Sequence, residues 1–423
     1  MKNNTAKTHK KFLKQKRENS NILFKEKQLF LDDKDDISIS TSTYEDSLQD
    51  TQKIESIFSK KNKTKADKIF INNFLKKIPL NINNYNNEDK INLILDLDNT
   101  LIYSVSCFKK PNDIFIPDKT FRRAFQIEDL ETIRFSNSEV YVFRFRDELN
   151  VFFENTKNFY NYYFYSAALM PYAIQIIEKI QSKFNIEIKK VIANEPNKKK
   201  EIKKSLNKLN LSSHNSIIID DCPYFWPENL SNLLLSKRFY DYKIMNLLNK
   251  NYQDLSKYGF MKENNNGILY FKSGGKQFDN YNDKSIFFPF NVESNDFSER
   301  KQLKYLSYFI QKIHYLYFNF NITVTLAIKL LKTNIFYDKY FMISKDFINY
   351  EELEGMILYC GGTIVNSRSS FLNNLIIVEK DNKKSEGTII VSEEYIYDCY
   401  YMLFPFDEND NYYHFRSTIE LIE

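Results

Sequence analysis

Two pairs of carboxylates dominate the chemistry open to this chain. Asp96 and Asp98 stand one residue apart, just after the apolar run Leu93, Ile94 and Leu95; Asp220 and Asp221 follow a second run, Ile217, Ile218 and Ile219. Carboxylates this close repel each other unless a cation lies between them or one takes up a proton. The cation that suits such an all-oxygen set is Mg²⁺, usually held by one or two carboxylates with phosphate and water. Hydroxyls and ammonium groups stand nearby in the pattern. Thr100 follows the first pair, Ser166 ends the aromatic run 159–166, and Lys198, Lys199, Lys200, Lys203, Lys204 and Lys208 crowd one segment.

The elements that would position these groups can be read from the apolar spacing. An apolar run bounded by polar residues is a strand buried on both faces. Three such runs, 91–95, 159–166 and 216–220, each end in a polar group. They alternate with helical patterns: Ala173, Ile176, Ile177 and Ile180 after Pro171, and Ile202, Leu206 and Leu209 in 198–209. This predicts an α/β fold with a doubly wound, mostly parallel sheet, and all three polar ends on one edge. A β insertion is expected over 103–145, covering the mouth of the site.

Flanking segments read differently. Residues 1–65 are polar and without a sustained period, and are expected to be disordered. Their cluster Lys7, Lys10, Lys11, Lys14, Lys16 and Arg17 is either a solvated charged tail or a nuclear-import signal. Residues 66–245 form the expected catalytic domain, opening on a short helix. Residues 246–331 read as a polar linker followed by amphipathic helices, with Leu303, Leu306, Ile310, Ile313 and Tyr317 on one face and Leu326, Ile328 and Leu331 on the next. Residues 332–423 form a second small α/β domain: strands at Tyr340–Ile343, 363–365 and Leu375–Val378, a helix over 351–358, and a helix capped by Ser392.

Bulk properties narrow the class. With 423 residues, 43% hydrophobic and 16% aromatic, the chain can build several cores. A net charge of +5 does not argue for direct nucleic-acid binding. Cys107, Cys222, Cys360 and Cys399 are far apart with no metal-site spacing, as expected of a reduced intracellular compartment. Nor do His9, His214, His314 and His414 show such spacing. No secretory leader or membrane-spanning stretch is read.

The ordered motif set carries a family resemblance. Asp96-Leu-Asp98-Asn-Thr100 resembles the signature of haloacid-dehalogenase-like phosphatases. Within that superfamily the chain resembles the RNA polymerase II C-terminal-domain phosphatases of the TFIIF-associated type. Ile219-Asp220-Asp221 with Trp226, Tyr165-Ser166 with Tyr172-Ala173, and Lys204-Ser205-Leu206 match the other motifs; Gln302, Leu303, Ile313, His314 and Phe318 match the helix before the last domain. Gly361-Gly362, Leu375-Ile376, Val391-Ser392 and Asp398-Cys399 resemble a BRCT domain. The sequence departs from the pattern in three places. Asp147 follows Arg146 where proline is usual, Met170 replaces a basic residue, and no arginine stands near Ala193-Asn194-Glu195. Tyr395 takes the place of the usual BRCT tryptophan.

The resemblance implies a Mg²⁺-dependent phosphoserine and phosphothreonine phosphatase with a catalytic set of Asp96, Asp98, Thr100, Ser166 and Lys204. Asp96 would be the nucleophile and Asp98 the general acid and base. The metal would lie at Asp96, the backbone carbonyl of Asp98, and Asp221, with Asp220 beside it. Ser166 would bond the phosphoryl oxygens and Lys204 would offset their charge. The implied partners are the phosphorylated C-terminal domain of the polymerase and TFIIF, and the implied location is the nucleus. From the residues alone, Ser166 could instead cap a helix, and any lysine of 198–208 could serve. A non-catalytic phosphopeptide scaffold and a phosphatase for another substrate are the competing readings; a metal-dependent glycosyltransferase is disfavoured by the lack of a secretory signal.

Overall fold

The structure, a computed structural model, describes residues 41–60, 64–78, 89–108, 130–135, 139–197, 203–239, 261–263, 269–271, 297–347, 349–367, 374–379 and 389–409. The basic cluster 7–17, His9, His414 and Lys198–Lys200 lie outside these residues.

The first acidic run becomes β1 (Ile91–Leu95), buried at every position. Strands β5 (Tyr160–Leu169), β6 (Ile188–Asn194), β7 (Ser216–Asp220) and β8 (Leu233–Leu235) join it in the order β6-β5-β1-β7-β8. Every pairing in this sheet is parallel. Alternate residues of a strand point to opposite faces, and β1 shows it. Leu93 and Leu95 join a core with Phe152 and Phe153 of α3 (Leu149–Thr156) and Ile176, Ile177 and Ile180 of α4 (Met170–Phe184). Ile94 joins Leu206, Leu209, Ile218 and Trp226 in a second cluster. The doubly wound architecture is therefore present, and the chain order reverses at β1, between β5 and β7.

The insertion is an antiparallel sheet of β2 (Ile102–Phe108), β3 (Leu130–Phe135) and β4 (Glu139–Phe145) in the order β2-β4-β3. Glu131 ties it to α4 through Lys179 at 2.9 Å and Lys183 at 3.6 Å.

Several expectations need correction. The segment expected to be disordered contains α1 (Thr41–Ser59), followed by α2 (Lys65–Leu75). Ile54 and Ile57 are buried with Phe74, whose ring meets Phe320 edge-on at 4.8 Å. So few apolar positions gave no visible period, yet two at helical spacing suffice to anchor the helix. Of the helix expected over 198–209, the described residues from 203 on form only α5 (Leu206–Leu209), and 198–202 lie outside the described residues. Ser205 is its extended N-cap and accepts from Asn207 N–H, while Lys204 N–H donates to the Phe225 carbonyl at 2.7 Å. That contact draws the chain before Ser205 away from helical geometry. The polar region before residue 300 contains a short hairpin, β9 (Met261–Glu263) with β10 (Leu269–Phe271).

Helix α6 (Phe297–Phe320) buries Leu303, Leu306, Ile310 and Ile313 completely, and α7 (Val324–Lys332) follows. The last domain is a parallel sheet, β12 (Thr363–Ile364), β11 (Tyr340–Ile343), β13 (Leu375–Val378) and β14 (Ile389–Val391) in that order, with α8 (Tyr350–Tyr359) and α9 (Glu393–Met402). Gly361 has φ +89°, and a Cβ there would meet the Thr333 carbonyl oxygen at 1.9 Å, so the turn requires glycine. Tyr395 is fully buried and fills the aromatic core position. Ser392 sits at the N-cap of α9, but its hydroxyl makes no cap bond.

Among the described residues, no helix is long and apolar enough to cross a membrane.

Candidate active site

The two acidic doublets meet. Asp96 N–H donates to the Ile219 carbonyl at 3.0 Å, locking the end of β1 to the end of β7. The chain then turns tightly, with Asn99 left-handed at φ 61° and its N–H on the Ile102 carbonyl at 2.8 Å. This turn folds Thr100 back into the interior. Its hydroxyl lies 3.3 Å from both Asp96 Oδ2 and Asp221 Oδ1 and accepts the Asp221 N–H at 3.1 Å. One hydroxyl carries one proton, so it donates to one of the two carboxylates at a time.

Lys204 is buried between the doublets. Its Nζ donates to Asp96 Oδ1 and Asp220 Oδ2, both at 2.6 Å. Its backbone N–H is tied to the Phe225 carbonyl at 2.7 Å, which fixes residue 204 beside the site. Asp220 is fully engaged: Oδ1 accepts Cys222 N–H, and Oδ2 also accepts the Trp226 indole N–H, each at 2.8 Å. Trp226 is thus a core residue, as expected, and also a direct support of the site.

Asp98 points elsewhere. Its Oδ1 accepts from Tyr172 OH at 2.6 Å and Ser104 Oγ at 3.1 Å. Its side chain is therefore not part of the carboxylate cluster; only its backbone carbonyl remains for the metal role the sequence suggested. Ser166 lies two residues beyond Phe164, which pairs with Leu95, on the same sheet edge as Asp96. Ser166 Oγ accepts Ala168 N–H at 3.0 Å, and Leu169 is the N-cap of α4, so Ser166 is not the helix cap.

Burial first, then the like charges of Asp220 and Asp221, push the Asp96 carboxyl well above its ordinary range against the pull of Lys204. Asp221 is raised by burial and by Asp220, against Arg238. Burial alone would lower the Lys204 ammonium, but the charges of Asp96 and Asp220 reverse this and hold it protonated. Asp98 is raised by burial, against the hydroxyls of Tyr172 and Ser104. Burial and the neighbouring aspartates push the Cys222 thiol up to about 11, so it is not a nucleophile at neutral pH.

The donor set fits a hard divalent cation. Oxygens of Asp96, Asp220 and Asp221 lie within 4.8 Å of one another. The carboxyls of Asp96 and Asp221, both pushed up in part by neighbouring negative charge, record a repulsion that a dication would cancel.

Residues 91–263 match the family described as NLI interacting factor-like phosphatase. The chain carries a phosphatase domain of that family. Residues 334–402 match the BRCT domain family. The matched segment thus spans the whole cluster from Asp96 to Asp221, together with the insertion and the first strand of the hairpin. No curated protein matches. The solved structures to which the chain is similar include two phosphatases. One, a variant of the fission yeast RNA polymerase II CTD phosphatase Fcp1 bound to beryllium fluoride, is 14% identical over 76% of this chain and 96% of that one, with TM-score 0.48. The other, Fcp1, an essential RNA polymerase II CTD phosphatase, is 14% identical over 80% and 98%, with TM-score 0.46.

Sequence reasoning missed two arginines. Arg146 is buried, its Nη1 donating to the carbonyls of Thr100 at 3.1 Å and Lys237 at 2.9 Å and to Ser236 Oγ at 2.7 Å. Arg238 Nε donates to Asp221 Oδ2 at 2.5 Å. Arg238 stands beside no motif named in the sequence. The signal available was the Arg146-Asp147 departure, read only as a missing proline.

Proposed function

We propose that this protein is a Mg²⁺-dependent phosphoserine and phosphothreonine phosphatase acting on the phosphorylated heptad repeats of the RNA polymerase II C-terminal domain, through an aspartyl-phosphate on Asp96. The observation that carries the reading is the meeting of Asp96, Asp220 and Asp221 around Lys204 at one sheet edge. The heptad substrate is supported by the ordered motifs and by the pairing of the phosphatase domain with a BRCT domain in one chain.

The residues divide the work. An Asp96 carboxylate oxygen attacks phosphorus while the bond to the seryl oxygen breaks. Asp98, its proton held more tightly through burial and its carboxyl aimed by two hydroxyls, gives that proton to the seryl oxygen. The same carboxylate then takes a proton from water, whose oxygen attacks phosphorus and frees Asp96. Thr100 holds Asp96 and Asp221 in register, Ser166 donates to a phosphoryl oxygen, and Lys204 offsets the charge that collects on Asp96. Mg²⁺, held by Asp96, Asp221 and the Asp98 backbone carbonyl with Asp220 beside it, would neutralise the phosphoryl oxygens. Hydrolysis of phosphate monoesters is among the slowest uncatalysed reactions, with accelerations reaching about 10²¹-fold. Positioning and charge neutralisation are therefore the main needs.

The full chain should hydrolyse phosphoserine heptad peptides and p-nitrophenyl phosphate in Mg²⁺ and lose this activity in EDTA. Asp96→Asn should reduce turnover to background. Turnover that survives this substitution, or peptide binding without any hydrolysis, would overturn the reading. A preference for sugar phosphates over peptides would move the substrate to another class. The reading also places the protein in the nucleus with the polymerase and TFIIF, which imaging and co-purification of the tagged chain would test.

A further inference from the structure

The site needs more positive charge than Lys204 supplies. Three carboxylates, Asp96, Asp220 and Asp221, cluster where the proposed reaction brings a phosphate dianion, and the Asp98 carboxyl follows in the chain. Lys204 is buried, and both of its short contacts are to carboxylates. The sequence carries no arginine at 193–195 and a methionine at 170, close to the end of β5. Among the described residues, the ion pairs with these carboxylates come from Lys204 and from Arg238.

Arg238 is held where a phosphate would arrive. Its side chain is 39% exposed, while that of its partner Asp221 is only 5% exposed. The guanidinium is therefore the solvent-accessible member of the pair. Its backbone is pinned from both halves of the site. Ser236 N–H donates to the Asp220 carbonyl at 2.9 Å and Phe239 N–H to the Asn99 carbonyl at 2.7 Å. Lys237 N–H donates to Gln302 Oε1 at 3.0 Å, and Arg146 donates to the Lys237 carbonyl. A side chain presented from so fixed a loop loses little freedom on binding. The planar fork of a guanidinium can face a carboxylate on one edge and phosphoryl oxygens on another, which an ammonium cannot.

We propose that Arg238 grips the phosphoryl group of the substrate, reaching it from the loop after β8. Asp221 is its resting partner and keeps it aimed. This rests on the phosphatase reading above, but its test does not depend on turnover. Inorganic phosphate binding to the full chain in saturating Mg²⁺ is measured by calorimetry for wild type, Arg238→Gln and Arg238→Lys, with thermal melts to confirm folding. The expected result is a loss of about tenfold or more in phosphate affinity for Arg238→Gln, as for a hydrogen bond to a charged group. Arg238→Lys should fall between the two. The KM for heptad phosphopeptide should rise in parallel, with a smaller change in kcat. Unchanged phosphate affinity in a folded Arg238→Lys or Arg238→Gln protein, with only the Mg²⁺ requirement altered, would show that Arg238 serves Asp221 alone and would overturn the proposal. A wild type that binds phosphate through Arg238 but hydrolyses nothing would sink the phosphatase reading and leave this one standing.

Discussion

Asp96 is costly where it stands. Even with Lys204 at 2.6 Å, burial and two neighbouring aspartates hold its carboxyl well above the ordinary range. A carboxyl raised in this way by folding binds its proton more tightly in the native state. Its contribution to stability is present below the unfolded value and is lost as pH rises through the folded one. Asparagine has no charge to bury. Asp96→Asn, inactive by the mechanism above, should therefore unfold a few degrees higher than wild type in metal-free buffer at neutral pH. The gap should close as pH falls toward the unfolded carboxylate range, and Mg²⁺ should raise wild type more than the variant. Melts across pH, with and without Mg²⁺, check each sign; a variant less stable at neutral pH would mean that the Lys204 pair outweighs the repulsion.

Asp98 depends on two elements at once. Ser104 comes from β2 of the insertion and Tyr172 from the first turns of α4, and the two hydroxyls are themselves 2.6 Å apart. The insertion therefore helps to orient the carboxyl that the proposed mechanism uses as proton donor. Tyr172→Phe removes a hydrogen bond to a group that must ionise, worth about 1.5–3 kcal/mol. Turnover of a phosphoserine peptide, a poor leaving group, should fall roughly tenfold or more. The burst with p-nitrophenyl phosphate, whose leaving group needs little protonation, should change much less. Since the tyrosine hydroxyl pulls Asp98 down against burial, its loss raises the acid further. The limb on which the rate falls with rising pH should then move to higher pH. Equal losses on both substrates with an unmoved pH profile would assign Tyr172 to packing only.

The same scale shows what the sequence could and could not disclose. β1, β7 and α6 were legible because their apolar spacing is uninterrupted and each is buried where its period predicts. The two doublets were legible because a strand end fixes the position of the residue after it. Lys204 could be named only among six lysines, since its selection depends on a backbone bond from residue 204 to Phe225, far along the chain. The contacts of Arg238 and Gln302 were illegible for a related reason: their partners lie 17 and 156 residues away in sequence. The helix at 41–59 was hidden by its polar composition and is anchored by Ile54 and Ile57.

At the scale of the whole molecule, the catalytic turn and the BRCT domain are joined through one amide. Gln302, fully buried on α6, accepts from Arg146 Nη2 at 2.7 Å and from Lys237 N–H at 3.0 Å. Its Nε2 donates to the carbonyl of Tyr401, in the last turn of α9, at 2.7 Å. Arg146 in turn holds the Thr100 carbonyl. A continuous line of hydrogen bonds thus runs from the turn carrying Asp98 and Thr100 to the second domain, which makes that domain a support of the site. Two substitutions separate its halves. Gln302→Met has similar size but leaves Arg146 and the Lys237 amide short of a buried acceptor, at a cost of about 1–3 kcal/mol for each group. It should lower kcat more than it raises KM, because the turn is loosened while the substrate surface is intact. Gln302→Glu keeps the acceptor and adds a counter-charge for Arg146, but cannot donate to Tyr401. It should retain most of kcat while amide exchange in the last turn of α9 speeds up. If both variants lose kcat equally, the link to the BRCT helix is itself required for catalysis; if neither does, the turn is held without Gln302.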